Sequence, residues 1–266
     1  MSVYTHGHHE SVLRSHRTRT AQNSARYLLP NLRPTDHLLD VGAGPGTITA
    51  DFAELVDRVT ATETGTQELA ISQATIAERG LENVDFSVAD VHSLPFGDDT
   101  FDVVHAHQVL QHVADPVEAL KEMARVAKPG GIIAVRDSDY AGFCWWPELP
   151  ELDVWLEVYR SAARANGGEP DAGRRLLSWA HAAGLKDVEA SSSTWCYASP
   201  DSRLAWGGMW ADRILNSAIA TQLVEQRLAS PTDLQNISDA WIRWAEDEDG
   251  WISIPHGELI CRIPLD

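Results

Sequence analysis

The alternation of apolar and polar residues divides the chain into short apolar runs, each closed by a turn, followed by stretches with helical spacing. HLLDVGAGPGTITADFAELV (37–56) begins as a short apolar strand, passes through a glycine turn and continues as a helix with apolar positions at Ile48, Phe52, Leu55 and Val56. DRVTATET (57–64) predicts a second, β-branched strand ending at Glu63. NVDFSVADVHSLPFGDDTFDVVHAHQVLQH (83–112) predicts a strand to Val88, a turn rich in Pro, Gly and Asp, and a fourth strand over 101–106. DPVEALKEMARVAKPGG (115–131) reads as a helix with apolar spacing at Val117, Leu120, Ala124 and Ala127, stopped by Pro129-Gly130-Gly131, and IIAVRD follows as a fifth strand. Strands alternating with helices imply a doubly wound α/β sheet whose ligands bind beyond the carboxyl ends of its strands.

The second half has a different texture. FCWWPELPELDVWLEVYRSAARANGG (143–168) predicts an aromatic loop and a helix, and AGRRLLSWAHAAGLKDVEASSSTWCYAS (172–199) a helix stopped at Gly184 and a long sixth strand. Residues 201–247 are mostly helical in pattern, and GWISIPHGELICRI (250–263) is a closing strand, so two helical insertions flank the sixth strand. Trp206/Trp210 and Trp241/Trp244 stand at helical spacing and read as core stripes of amphipathic helices.

The chemistry begins at the glycine turn. Its glycines fall as G-x-G-x-G at Gly42, Gly44 and Gly46, with Thr47 where the third glycine of a dinucleotide fingerprint would stand, so NAD is the weaker reading. Asp40 at the tip of the first strand would repel a pyrophosphate but can accept a hydrogen bond from an ammonium group. Glu63, nineteen residues beyond Gly44, can take both hydroxyls of a ribose.

DVGAGPG, Glu63, VADVHSLPF, FDVVHAHQVLQHV and AKPGG, in that order, resemble the successive motifs of class I S-adenosylmethionine (SAM) dependent methyltransferases, in particular the small-molecule group related to the ubiquinone/menaquinone biosynthesis methyltransferases. The resemblance is firm over residues 35–138. It implies a seven-stranded Rossmann-like sheet with an N-terminal lid (1–34), a SAM-binding core (35–138) and a helical acceptor-side cap with the closing strands (139–266). It further implies that Asp40, Gly42, Ala43, Gly44 and Gly46 hold the methionyl end of the cofactor, Glu63 and Thr64 the ribose, and Asp90 and Val91 the adenine. His107 and Gln108 then lie beside the methyl-bearing sulfur, and Arg17 or Arg14 can pair with the SAM carboxylate.

Methyl transfer from a sulfonium asks the enzyme mainly to orient the acceptor and exclude water. His107 is the candidate base, because imidazole titrates near working pH, and Asp137 at the end of the fifth strand is a candidate for orienting the acceptor. Tyr140, Phe143, Trp145 and Trp146, in the loop after that strand, are expected near the acceptor, with Tyr4 and His8 of the lid. The absence of the Asn or Asp-Pro-Pro-aromatic signature disfavours adenine- and glutamine-directed enzymes. The reading is methylation of O, S or N on a small, apolar or aromatic metabolite, possible in secondary metabolism; the alternatives are C-methylation of a quinone-like acceptor and a SAM-binding module without turnover.

Composition narrows this further. A net charge of −18 over 266 residues disfavours nucleic-acid substrates, whose phosphates call for a basic face. No apolar run approaches the length of a membrane span, and the expectation is a cytoplasmic enzyme acting on a small molecule as a monomer or homodimer. Three widely spaced cysteines do not form a disulfide framework. His6, His8, His9 and His16 lack the spacing of a helical metal pair, so no metal is predicted and the segment is expected to act as a lid. All ten tryptophans lie after residue 144, which gives the two halves different jobs.

Overall fold

The computed structural model of the protein describes residues 18–265. β1 (His37–Val41), β2 (Arg58–Glu63), β3 (Val84–Val88), β4 (Phe101–His107) and β5 (Ala127–Ser138) are parallel, in the order β3-β2-β1-β4-β5. β1 lies between β2 and β4 with helices over both faces, which is why its sequence is a nearly unbroken apolar run. β6 (Cys144–Trp146), β7 (Asp187–Tyr197) and β8 (Trp251–Arg262) complete an eight-stranded sheet, with β8 antiparallel to β5, β6 and β7.

β7 occupies one edge of β8 from Ile252 to Arg262, so β5 and β6 must share the other. β5 pairs as far as His256, and β6 resumes at Ser253 after a 3-10 turn at Tyr140–Gly142. β6 thus continues the line of β5 along β8, and the other seven strands make up the expected seven-stranded frame. It also corrects the expected loop at Trp145-Trp146: β8 overhangs the end of β5, and its exposed backbone groups are paired by these residues.

α1 (Ala21–Ser24) and α2 (Thr47–Ala53) cover one face, where Leu28, Leu38, Phe52 and Val59 are buried together. α3 (Thr66–Glu78) connects β2 to β3. α4 (Pro116–Val126) and α6 (Leu176–Ala182) cover the opposite face over Leu39, Val104, Leu120, Met123 and Leu176. Asp115 starts α4 by accepting the Glu118 N–H at 2.9 Å. The buried positions of α4 are Ala119, Leu120, Met123 and Val126, a stripe rotated from the expected Val117, Leu120, Ala124 and Ala127. Ala127 already belongs to β5, and Pro129-Gly130-Gly131 lie within that strand, where its register on β4 slips between Phe101 and Val103.

α5 (Pro150–Ala165), α7 (Pro200–Asn216), α8 (Ala218–Glu225) and α9 (Pro231–Glu246) gather into a cap. Its centre is a cluster of indoles: Trp155 meets Trp210 edge-on at 4.6 Å and Trp241 at 4.9 Å. Trp210, Trp241 and Trp244 are core residues of their helices. Ile252 and Ile254 of β8 join this cluster, so cap and sheet bury apolar surface against each other. Among the described residues, no helix is long and apolar enough to cross a membrane.

Candidate active site

A cleft of about 950 Å³ opens at the carboxyl ends of β1, β2 and β4. Gly42, Gly44 and Gly46 all adopt left-handed φ, of 69°, 57° and 79°, which a side chain would oppose. They do different work. A Cβ on Gly44 would meet nothing within 4 Å, because this residue faces the cleft; one on Gly42 would stand 2.7 Å from Val109 Cγ2. Gly46 does not line the cleft: its missing side chain makes room for Ser72, whose Oγ would be 2.5 Å away, so its service is to the packing of α2 and α3. Ala43, Glu63, Thr64, Asp90 and Val91 all line the cleft. Glu63 Oε1 accepts the Gly44 N–H at 2.6 Å, tying β2 to the glycine loop, and burial raises the Glu63 carboxyl above its ordinary pKa. Asp90 accepts from the backbone N–H of His92 at 2.9 Å, a bond that lowers its pKa.

Asp40 also reaches the cleft wall, but its carboxylate is already engaged. Thr49 donates to Oδ2 at 2.6 Å and His105 Nδ1 lies 2.8 Å from Oδ1, all three groups being buried. The residue expected to greet an ammonium group thus clamps β1 to β4 and α2.

Strand register brings a second set of polar groups together. His107 is opposite Arg136 on β5, Arg136 is opposite Glu258 on β8, and Glu258 is opposite Ser191 on β7. Ser138, His256 and Ser193 form a parallel row. Side-chain alternation turns these residues to the face beneath the N-terminal segment. Arg19 can only donate, so its 2.7 Å bond to Gln108 Oε1 orients the amide, and Gln108 Nε2 must then donate to His256 Nε2 at 3.0 Å. His256 therefore carries its proton on Nδ1, which donates to Ile254 O at 3.0 Å. Burial, together with Arg136, lowers the pKa of His256 well below the histidine range.

His107 stacks on His256, with ring centroids 6.3 Å apart, and lines the cleft. Both its ring nitrogens are buried without a hydrogen-bond partner among the described residues. Burial, then Arg19 and Arg136, push its pKa well down, so the resting ring is neutral.

Arg19 and Gln108 also line a second cavity of about 500 Å³ between sheet, cap and N-terminal segment. Tyr140, Phe143, Trp195, Tyr197, Trp206 and Trp210 form its aromatic walls. Trp195 Nε1 donates to Asn23 O at 2.8 Å, fastening the N-terminal segment across it. Tyr140 and Phe143, expected near the acceptor, line this cavity. Trp145 and Trp146 do not line the cavity: Trp145 packs edge-on against Trp155 at 6.4 Å and Trp146 is 57% exposed. Asp137 is also displaced from its expected role. It alternates with Arg136 and Ser138, so it points through the opposite face, where Oδ1 accepts the Gln111 N–H at 2.9 Å and burial raises its pKa to about 7. Tyr4, His8, Arg14 and Arg17 lie outside the described residues. Arg19, Trp195 and Tyr197 were missed by sequence reasoning, although the last two stand two residues apart on the predicted sixth strand and so share a face.

A Rossmann-like sheet with a glycine-lined cleft at the strand ends is a frame suited to a nucleotide-type cofactor, here with an aromatic cavity beside it. The family model of the methyltransferase domain matches residues 39–135. An uncharacterized methyltransferase of Schizosaccharomyces pombe is 34% identical over 271 residues, covering 97% of this chain and 96% of its own. The chain therefore belongs to the class I SAM-dependent methyltransferases. A ubiquinone/menaquinone biosynthesis C-methyltransferase of Teredinibacter turnerae is 38% identical over 111 residues, covering 40% of this chain and 45% of that one. The YcgJ protein of Bacillus subtilis shares the fold, with a TM-score of 0.60 at 22% identity over 92% of this chain and 99% of that chain.

Proposed function

We propose that the protein methylates an oxygen, sulfur or nitrogen of a small aromatic metabolite bound in the 500 Å³ cavity. The observation that carries this reading is the junction at Arg19 and Gln108, where an aromatic cavity meets the cofactor cleft. The cleft suits the cofactor, since the space beside Gly44 is open where a Cβ would stand. In this reading the Gly42–Gly44 backbone holds the methionyl end, Glu63 and Thr64 the ribose, and Asp90 with Val91 the adenine. SAM, when bound, supplies a methyl carbon on a positively charged sulfur and leaves as S-adenosylhomocysteine (SAH).

The protein's part is orientation, exclusion of water and one proton. Trp195, Tyr197 and Trp206 hold the plane of the acceptor, with Gln108 between it and the cofactor. With the cofactor bound, transfer of its methyl group to the acceptor's lone pair would leave the sulfur neutral, and the acceptor's proton would pass to a ring nitrogen of the neutral His107, so the net charge of the site would be unchanged. Quinone C-methylation draws little support from the Teredinibacter enzyme, whose match covers only 40% of this chain.

The test is turnover of SAM with phenols, thiols, amines and hydroquinones, locating the new methyl group by fragmentation. Heteroatom methylation is expected; ring C-methylation, or SAH binding without turnover of any acceptor, would sink the reading. With a phenol, His107→Ala should lower kcat roughly 10²-fold and recover as pH rises toward the phenol's own ionisation. A thiol, which ionises nearer neutrality, should lose much less.

A further inference from the structure

Three strands leave an edge unpaired among the described residues, and they are not protected alike. β6 has three residues, and β3 has five and carries Asp85, ion-paired to Arg58 of β2. Short length and charge are usual means by which an edge strand resists pairing with another chain. β7 has 11 residues and stays in unbroken register on β8 from Asp187 to Tyr197, so no bulge interrupts it. Its stretch ASSSTWCY (190–197) holds no charged residue and no proline, in a chain of which 23% is charged. The longest edge is the one without these defences.

An antiparallel strand turns the N–H and C=O of every second residue toward one neighbour and those of the remaining residues away from it. β8 takes the first set. Among the described residues no other strand takes the second, and no backbone bond reaches it from a loop. Ala190, Ser191, Ser192, Thr194 and Cys196 are exposed. A free row of alternating donors and acceptors is complementary to itself about a two-fold axis, so the partner that fits this edge is the same edge of a second copy. Charge sets the register. Asp187 and Glu189 stand at the N-terminal end of β7 alone, and an axis between Ser192 and Ser193 places them against the uncharged end of the other copy. The Glu189 carboxylates of the two copies are then roughly 20 Å apart along the strands, well beyond the Debye length of about 8 Å at physiological salt. The net charge of −18 therefore opposes pairing at this edge only weakly.

We propose that the protein forms a homodimer by antiparallel pairing of β7 with β7 of a second copy, joining the two sheets into one. Trp195 and Tyr197, which wall the aromatic cavity, stand on this strand. An unpaired edge opens more readily than a paired one, so the second copy holds that wall from outside. A strand-to-strand contact is small beside the roughly 1,200–2,000 Å² of a standard interface, and the dissociation constant is expected in the micromolar range.

Sedimentation of the full chain over about 1–200 µM should show a monomer–dimer equilibrium. Across the same range, hydrogen exchange should find the outward amides of residues 190–196 protected at high concentration and open on dilution. The double variants S192E/T194E and S192K/T194K set like charges at the axis, on the face opposite Trp195 and Tyr197. Each should weaken the dimer roughly tenfold or more with SAH affinity unchanged. Both signs should act alike, whereas a general charge effect in so acidic a chain would let the lysine pair tighten association. A monomer throughout the range overturns the proposal, as does a dimer whose β7 amides stay open or one that either charged pair leaves intact. The exchange experiment is made on the wild type, so it decides the matter even if the variants do not fold.

Discussion

Glu63→Ala is expected to weaken SAM and SAH binding by roughly 10²-fold or more, because a carboxylate that accepts two ribose hydroxyls loses two charge-assisted hydrogen bonds of about 1.5–3 kcal/mol each. The side chain also accepts the Gly44 N–H at 2.6 Å, so its removal frees the middle of the glycine loop. Glu63→Gln keeps an acceptor but cannot take both hydroxyls, and its loss should be intermediate. Calorimetric titration of both cofactors reads the effect, and affinities within a few-fold of wild type would remove Glu63 from the ribose site. The pH dependence follows in sign. Burial raises the carboxyl's pKa in the free protein, whereas hydroxyl donors favour its charged form. Cofactor binding therefore releases a proton from the protonated fraction and weakens as pH falls through the raised pKa.

The parts of this site legible in the sequence are those made by neighbours along the chain. β1, the glycine turn and β2 follow one another, and the local pattern places Gly42, Gly44 and Glu63 without any knowledge of tertiary structure. Asp40 was placed correctly at its strand tip, but its partner His105 is 65 residues away and the clamp appears only when β4 pairs with β1. The same holds for Arg136 and Glu258, 122 residues apart, and for Gln108 and His256, 148 apart. No periodicity specifies the register that brings them into one layer. Asp137 failed for a simpler reason: neighbouring strand residues face opposite ways, so it and Arg136 could not serve the same cavity. Trp145-Trp146-Pro147 reads as a loop because proline and bulky rings usually mark one, and the overhang of β8 that turns it into a strand is a tertiary fact.

The buried histidines are expected to make the fold acid-labile above the range in which carboxylates normally cause it. His107 and His256 are held well below the ordinary histidine pKa, and burial brings His112 to about 3, whereas in the unfolded chain each titrates near about 6.5. Their folded pKa values are depressed, so their contribution is complete above the unfolded value and is lost as pH falls below it. Asp137 acts in the opposite sense. Its folded pKa of about 7 lies above its unfolded one, so from near neutrality downward the native state holds one proton that the unfolded chain lacks. Three histidine protons favouring the unfolded chain, less the one on Asp137, leave a net uptake of two. From these four groups, stability of the cofactor-free protein should therefore fall by up to about 2.7 kcal/mol per pH unit between roughly pH 6 and 4.5, about 4 kcal/mol across that window, a large part of the stability of many domains. The junction should yield with it. Protonated His256 presents an N–H toward Gln108 Nε2, and turning the amide to accept that proton would point its NH2 at Arg19, so one proton breaks either Arg19–Gln108 or Gln108–His256. Urea unfolding of wild type and His256→Gln across this window measures the slope, and the variant should show about one proton fewer, a slope lower by about 1.4 kcal/mol per pH unit. A wild-type stability flat from pH 6.5 to 4.5 would mean that these rings take up protons in the folded protein, and would remove the neutral His107 on which its role as a base depends.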